Sequence, residues 1–172
     1  MNKLPQITLA FWVMKICATT LGETAGDLLS MTLDVGYAIS SLILISVFLV
    51  TLVGQLASKR YVPWLYWLVI LSTSTAGTTM SDFMDRTLEL GYATGSAILV
   101  SILVAIFALW RFSGTSLSVD NIRSFKGEMF YWIAILFSNT LGTALGDFLA
   151  DDSGLGFAGG ELLIGSLIAV VV

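Results

Sequence analysis

The chain has 172 residues, of which 56% are hydrophobic and 12% are charged, and its formal net charge is −4. Soluble domains carry about 25% charged residues, so this composition excludes a soluble protein and predicts an all-α integral membrane protein. The sequence holds no histidine and one cysteine, Cys17, which excludes a disulfide framework, a thiolate metal cluster and the usual ligand of zinc and haem.

Six apolar segments follow one another along the chain. A membrane-spanning helix needs about 20 apolar residues, and the first four spans are predicted at 7–29, 35–57, 64–84 and 91–112. A polar loop, 113–126, precedes a fifth span at 127–150, and the sixth begins near Phe157. Because the sixth span is shorter than a comfortable crossing, we expect the chain to be cut short within or just after it.

Internal repetition is the strongest organising feature of the sequence. Trp12, Trp67 and Trp132 recur at offsets of 55 and 65 residues. The same offsets align three further sets: Thr20, Thr75 and Thr140; Gly22, Gly77 and Gly142; Asp27, Asp82 and Asp147. Each unit is a Trp-led polar helix ending in Asp, followed by a plain apolar helix. We therefore predict a single transmembrane domain, 1–172, with parallel two-helix repeats at 7–60, 61–112 and 127–172.

The basic residues predict the orientation. Most of them lie at the N-terminus or between units: Lys3, Lys59, Arg60, Arg111, Arg123 and Lys126. Arg86 is the one basic residue in a connection within a unit. The positive-inside rule then places the N-terminus and the loop 113–126 in the cytoplasm. A multi-pass protein of the inner membrane is expected, with most acidic residues at its outer end.

At this point the chain resembles a known family. Tandem two-span units, each with a tryptophan and a Gly-x-x-x-Gly/Ser-Asp helix end, are similar to a bacterial membrane family known only as a tandem repeat of unknown function. The resemblance runs from about Phe11 onward. It implies four copies of the unit, of which this chain carries three, in agreement with the short sixth helix. It implies no activity.

Polar residues share one face of each Trp-led helix, because positions i, i+3, i+4 and i+7 lie together. Hydroxyl and carboxylate oxygens suit protons or hard cations, although the sequence leaves any metal unknown. Glu23 and Lys15 have no charged counterparts in the other units, and a charge near the bilayer centre costs about 2.5–3.5 kcal/mol. The predicted ion path or binding site consists of Lys15, Thr20, Glu23, Asp27, Thr75, Asp82, Asn139, Thr140 and Asp147.

Structural roles compete with this interpretation. The three aspartates lie near helix ends, where a carboxylate can simply reach headgroups or cap the next helix, and the threonines can bond their own helix. Lys15 can pair with an Asp or Asn of a neighbouring helix or extend towards the interface. Small residues spaced four apart favour close helix packing. This role is predicted for Gly22, Gly26, Gly77, Ser81, Gly142 and Gly146. Trp12, Trp67 and Trp132 are predicted as interface anchors.

Two functions remain open at this stage. No enzyme motif is visible, although two aspartates facing each other are what an intramembrane hydrolase needs, and the chain is predicted not to be an enzyme. The first hypothesis is a transporter or channel for a small cation, a proton or a hard metal ion. The alternative is a non-transporting scaffold or assembly protein whose polar stripes only pack helices. No cofactor and no nucleic acid are expected; the partners are the lipid bilayer and a small cation, and homo-oligomerisation is left open.

Overall fold

The computed structural model of the protein describes residues 4–117, 122 and 124–171, and this part of the chain is helical throughout its regular structure. The prediction of six helices is confirmed. They are α1 (Leu9–Asp27), α2 (Tyr37–Ala57), α3 (Pro63–Asp82), α4 (Tyr92–Phe112), α5 (Phe125–Asp147) and α6 (Gly156–Val171). Lys3, Asp120 and Arg123 lie outside the described residues, so the structure does not place these charges.

Within the part of the chain that the structure describes, three helical segments are long and apolar enough to cross a membrane. They are Tyr37–Ala57, Tyr92–Phe112 and Phe125–Asp152, and Gly156–Val170 is a shorter apolar helix. α1 and α3, whose C-terminal halves are rich in hydroxyls, are not among them. Long apolar helices of this kind indicate a membrane protein.

Each odd-numbered helix ends in the same way. Directly after its aspartate it widens into a five-residue π-helical turn, at Leu28–Thr32, Phe83–Thr87 and Phe148–Asp152. The chain then turns into the next helix through Gly36, Gly91 or Gly156, whose φ angles are 81°, 74° and 68°. Only glycine adopts such angles without steric cost, which explains why Gly36, Gly91 and Gly156 recur at the repeat offsets of 55 and 65 residues.

α3 lies at the centre of the bundle. It packs against α1, α2 and α5, whereas α4 packs against α5, and α6 contacts the π-helical turn that follows α5. The three polar helices are therefore neighbours in the order α1, α3, α5. The apolar helices α2 and α4 each lie against the polar helix of the following unit.

The interior has two chemically different layers. Towards the N-terminal ends of the polar helices it is apolar and aromatic, with Tyr66, Ile70 and Trp132 at most 1% exposed. Further along α3 every residue from 72 to 79 is buried, and most of these residues are serine or threonine. The candidate site lies in the polar layer, where α3 is buried but Glu23 of α1 and Gly142 of α5 are exposed.

Candidate functional site

Most hydroxyls of the polar layer are bonded to their own helix. Thr75 Oγ1 donates to the Ser72 carbonyl at 3.0 Å, and Thr140 Oγ1 donates to the Leu136 carbonyl at 3.0 Å. Both side chains are buried, at 7% and 0% exposure. Thr20, the third member of this set, is exposed. These threonines therefore do not converge on one site, and the two buried ones lie within helix contacts.

The glycines of the small-residue motif set how closely the polar helices approach. A Cβ atom on Gly22 would lie 2.5 Å from Ser74 Cβ, and one on Gly77 would lie 2.9 Å from the Thr140 backbone nitrogen. Gly26 also faces α3, with the Thr75 carbonyl oxygen 3.3 Å from its Cβ position. By contrast, Gly142 has no described atom within 4 Å of its Cβ position. The face of α5 that corresponds to these contacts is open.

A polar cavity of about 200 Å³ lies between α1, α3 and α5. It is lined by Thr19, Glu23, Ser74, Thr78, Ser138, Asn139, Gly142 and Thr143. Six of these residues are repeat equivalents. One set is Thr19, Ser74 and Asn139, and the other is Glu23, Thr78 and Thr143. The three units thus present the same two positions to one space. The predicted threonines, Thr20, Thr75 and Thr140, each lie one residue after a member of the first set. The first set lines the cavity, and the predicted threonines do not.

Asn139, which lines this cavity, takes part in two hydrogen bonds to other helices. Lys15 Nζ donates to Asn139 Oδ1 at 3.4 Å, and Asn139 Nδ2 donates to Thr73 Oγ1 at 3.0 Å. Lys15 thus has a partner on a neighbouring helix, the asparagine that the sequence left as one option. Since Lys15, Asn139 and Thr73 belong to α1, α5 and α3, this chain of bonds joins all three polar helices.

The three aspartates lie at the other end of the polar helices. Asp82 is 3% exposed, whereas Asp27 and Asp147 are half-buried. Arg86 joins two of them: its Nε lies 3.0 Å from Asp82 Oδ1 and its Nη2 lies 3.5 Å from Asp147 Oδ2. The arginine therefore spans α3 and α5, and it neutralises part of the acidic end.

A second cavity lies at this acidic end, beside Asp147. It has a volume of about 280 Å³, and its lining includes Glu23, Gly146, Asp147, Phe157 and Glu161. Glu23 lines both cavities. Among the described residues, no three His, Cys, Asp or Glu side chains lie close enough together to hold a metal ion.

Comparison with known proteins identifies the repeats. A family model described as Repeat of Unknown Function (DUF347) matches residues 10–61, 65–116 and 130–172. The chain belongs to this family. No curated protein and no solved structure matches it.

The tryptophans of the three DUF347 repeats have different surroundings. Trp132 is 0% exposed, and it packs against Tyr66 and Tyr131 with ring centroids 5.5 Å and 5.0 Å apart. It belongs to the core of the bundle and not to a lipid-facing surface. Trp67 is half-buried and lines an apolar groove between α1 and α3, and Trp12 is also half-buried.

Lys15, Glu23 and Arg86 have no counterpart of the same charge in the other DUF347 repeats of this chain, and all three lie at the cavities or the acidic end. Lys15 corresponds to Ile70 and Ile135, Glu23 to Thr78 and Thr143, and Arg86 to Met31 and Asp151. Sequence reasoning singled out Lys15 and Glu23 but missed Arg86. The available signal was its position: it follows Asp82 by four residues, a spacing that places both side chains on one helix face.

Proposed function

We propose that the protein is a multi-pass protein of the bacterial inner membrane that transports or conducts a small cation, and that it is not an enzyme. The observation that carries this proposal is the polar cavity between α1, α3 and α5, to which each repeat contributes equivalent positions. Three of its lining residues, Glu23, Ser138 and Gly142, are exposed, so the cavity opens at the surface of the bundle. Polar groups that leave water for apolar surroundings are costly unless water or an ion solvates them. Intramembrane carboxylates such as Glu23 mark ion or proton pathways in other membrane proteins.

The proposed path runs from the hydroxyl-lined cavity past Glu23 to Asp147. Glu23 is the one carboxylate residue that lines both cavities, so an ion or proton would meet it in each of them. Beyond it, the acidic helix ends and Glu161 concentrate cations at the mouth by their negative potential. All six helices cross the membrane in this proposal, and the basic residues Lys59, Arg60 and Arg111 put the opposite end in the cytoplasm.

A proton or a hydrated monovalent cation is the ion that this path suits best. Mg²⁺ and Ca²⁺ prefer six or more oxygen ligands, usually with several carboxylates. In the described part of the chain, the carboxylates do not form a group of three that could hold a metal. A proton, by contrast, needs only one titratable carboxyl and neighbouring hydroxyls, as Glu23, Thr19 and Thr78 provide.

A flux panel in proteoliposomes tests this function. Purified protein is reconstituted, and the uptake of H⁺, Na⁺, Mg²⁺ and Mn²⁺ is measured for the wild type and for Glu23→Gln. Ser46→Ala is the matched control, because Ser46 is exposed on α2 and bonds only the Leu42 carbonyl in its own helix. We expect selective flux that Glu23→Gln lowers at least about tenfold while Ser46→Ala leaves it unchanged. Absence of flux for every ion in a folded sample would refute the proposal.

A non-transporting scaffold is the second candidate, and the packing of the glycines favours it. Gly22 and Gly77 allow close helix contacts, and Thr75 and Thr140 bond their own helices, as expected if polar residues only hold helices together. The two functions differ in whether water enters the cavity between α1, α3 and α5. In a Cys17→Ser background, a water-soluble thiol reagent should modify Thr78→Cys if an ion path exists, and should not modify it in a dry interface.

A further inference from the structure

Arg86 has no equivalent in the other two repeats, so the two-helix scaffold does not require it. In the corresponding positions the chain carries Met31 and Asp151. Among the described residues, Arg86 is also the one basic side chain in the three connections within units, which join α1 to α2, α3 to α4 and α5 to α6. A positive charge has thus been added at the end where the three helix-terminal aspartates lie.

The two ion pairs of Arg86 are unequal. The pair with Asp82 is shorter, at 3.0 Å, and lies four residues away on the same helical face, with the Asp82 side chain 4% exposed. The pair with Asp147 spans 3.5 Å to another helix, and the Asp147 side chain is 28% exposed. Exposed ion pairs are weak because water screens them. The bond to Asp147 is therefore the one that breaks first, while Asp82 keeps the arginine tethered.

Two aromatic rings flank the guanidinium. Its central carbon lies 6.0 Å from the Tyr37 ring centroid and 5.8 Å from the Tyr92 ring centroid, within reach of a cation–π attraction. These tyrosines begin α2 and α4, so the arginine is held by residues of the first and second units. Asp147, its partner from the third unit, also lines the cavity that contains Glu23. A cation in that cavity and the guanidinium compete for the same carboxylate.

We propose that Arg86 is a tethered cation that occupies the acidic end of the path, and that an entering cation must displace it from Asp147. This regulation rests on the proposed function above, since it assumes that cations use the path. It makes Arg86 a specificity-determining residue: its charge repels ions from the cavity, and more strongly when they are divalent. Asp147 is then shared between the resting pair and the passing ion.

The decisive experiment measures cation access to the cavity without relying on flux. In a Cys17→Ser background, a single thiol is placed by Gly146→Cys, since Gly146 lines the cavity and has no described atom within 4 Å of its Cβ position. Labelling rates are compared for a cationic and a neutral methanethiosulfonate of similar size. Adding Arg86→Gln should raise the rate of the cationic reagent about fivefold or more and leave that of the neutral reagent unchanged. Arg86→Lys, which keeps the charge, should behave like the parent.

Arg111→Gln is the matched control, because Arg111 is exposed at the far end of α4 and should not alter either rate. Equal acceleration of both reagents would mean that Arg86 only holds the helices together, and no acceleration would mean that it does not guard the cavity; either result overturns the proposal. If Arg86→Gln fails to fold because Asp82 is left buried and unpaired, Asp82→Asn with Arg86→Gln is compared with Asp82→Asn alone, so that the two proteins differ only in the charge of Arg86. Absence of flux in the wild type would refute the transport function alone, since the labelling rates still decide the role of Arg86.

Discussion

Tyr66 and Tyr131 occupy the same position in successive repeats, and their hydroxyl oxygens lie 2.9 Å apart in the core of the bundle. One residue comes from α3 and the other from α5, and both are buried, at 1% and 9% exposure. Thr78 and Thr143, another pair of repeat equivalents, also meet, with their hydroxyl oxygens 3.3 Å apart. Adjacent polar helices therefore contact each other through equivalent residues at two depths.

The tyrosine pair should show a non-additive effect on stability. Tyr66→Phe or Tyr131→Phe alone leaves one buried hydroxyl without its partner, at an expected loss of about 1–2 kcal/mol in the free energy of unfolding. The double variant removes both hydroxyls, so it should lose less than the sum of the single variants. Thermal unfolding in detergent, followed by circular dichroism, measures all three. Strictly additive losses would show that the hydroxyls do not interact.

The repeat offsets predict much of this architecture, because duplication preserves both helix lengths and turn residues. The glycine at the start of each even-numbered helix was visible as a recurring residue, and its positive φ angle explains the recurrence. The cavity lining was less accessible to sequence reasoning. A stripe of residues defines a helix face, but only packing decides how far each helix is rotated. Thr19 lines the cavity and Thr20 does not, which is a difference of one position.

Arg86 shows a second limit of the sequence. Its pair with Asp82 follows from helical spacing, but its pair with Asp147 joins residues that are far apart in the chain. Nothing in one sequence indicates which aspartate a long side chain reaches. The same holds for Lys15, whose partner Asn139 lies on a helix that is not adjacent in sequence. Long-range polar contacts depend on tertiary packing and could not be read from the repeat.

Gly22 and Gly142 should respond differently to the same substitution, although they are repeat equivalents. In Gly22→Ala the new methyl group would lie 2.5 Å from Ser74 Cβ, so α1 must move away from α3 at a cost of about 1–3 kcal/mol. In Gly142→Ala the methyl group enters open space, and the better helix propensity of alanine raises stability by up to about 1 kcal/mol. Unfolding midpoints in the same detergent give the comparison. A similar loss in both variants would contradict the open space described at Gly142.

Asp85 and Gly95 form a size-matched pair, and their substitutions should compensate for each other. A Cβ atom on Gly95 would overlap the Asp85 carboxylate, which is 6% exposed. The first repeat has Ser30 and Ser40 at these positions. We expect Gly95→Ser to lose about 2 kcal/mol of stability by overpacking, and Asp85→Ser combined with Gly95→Ser to recover most of it. Failure of the double variant to recover would show that the loss comes from the glycine backbone.

The link between Lys15 and Asn139 should contribute to how α1 is held against α5. Lys15→Met removes the donor to Asn139 Oδ1 but keeps a long apolar stem, so the expected loss is about 1–2 kcal/mol, typical of a hydrogen bond to a charged group. Lys59→Met is the matched control: Lys59 is exposed just beyond α2, and its substitution should change stability by less than about 0.5 kcal/mol. Thermal unfolding measures both, and adding Asn139→Leu to Lys15→Met should cost less than Asn139→Leu does in the parent. An equal cost in both backgrounds would mean that Lys15 does not bond to Asn139 of α5.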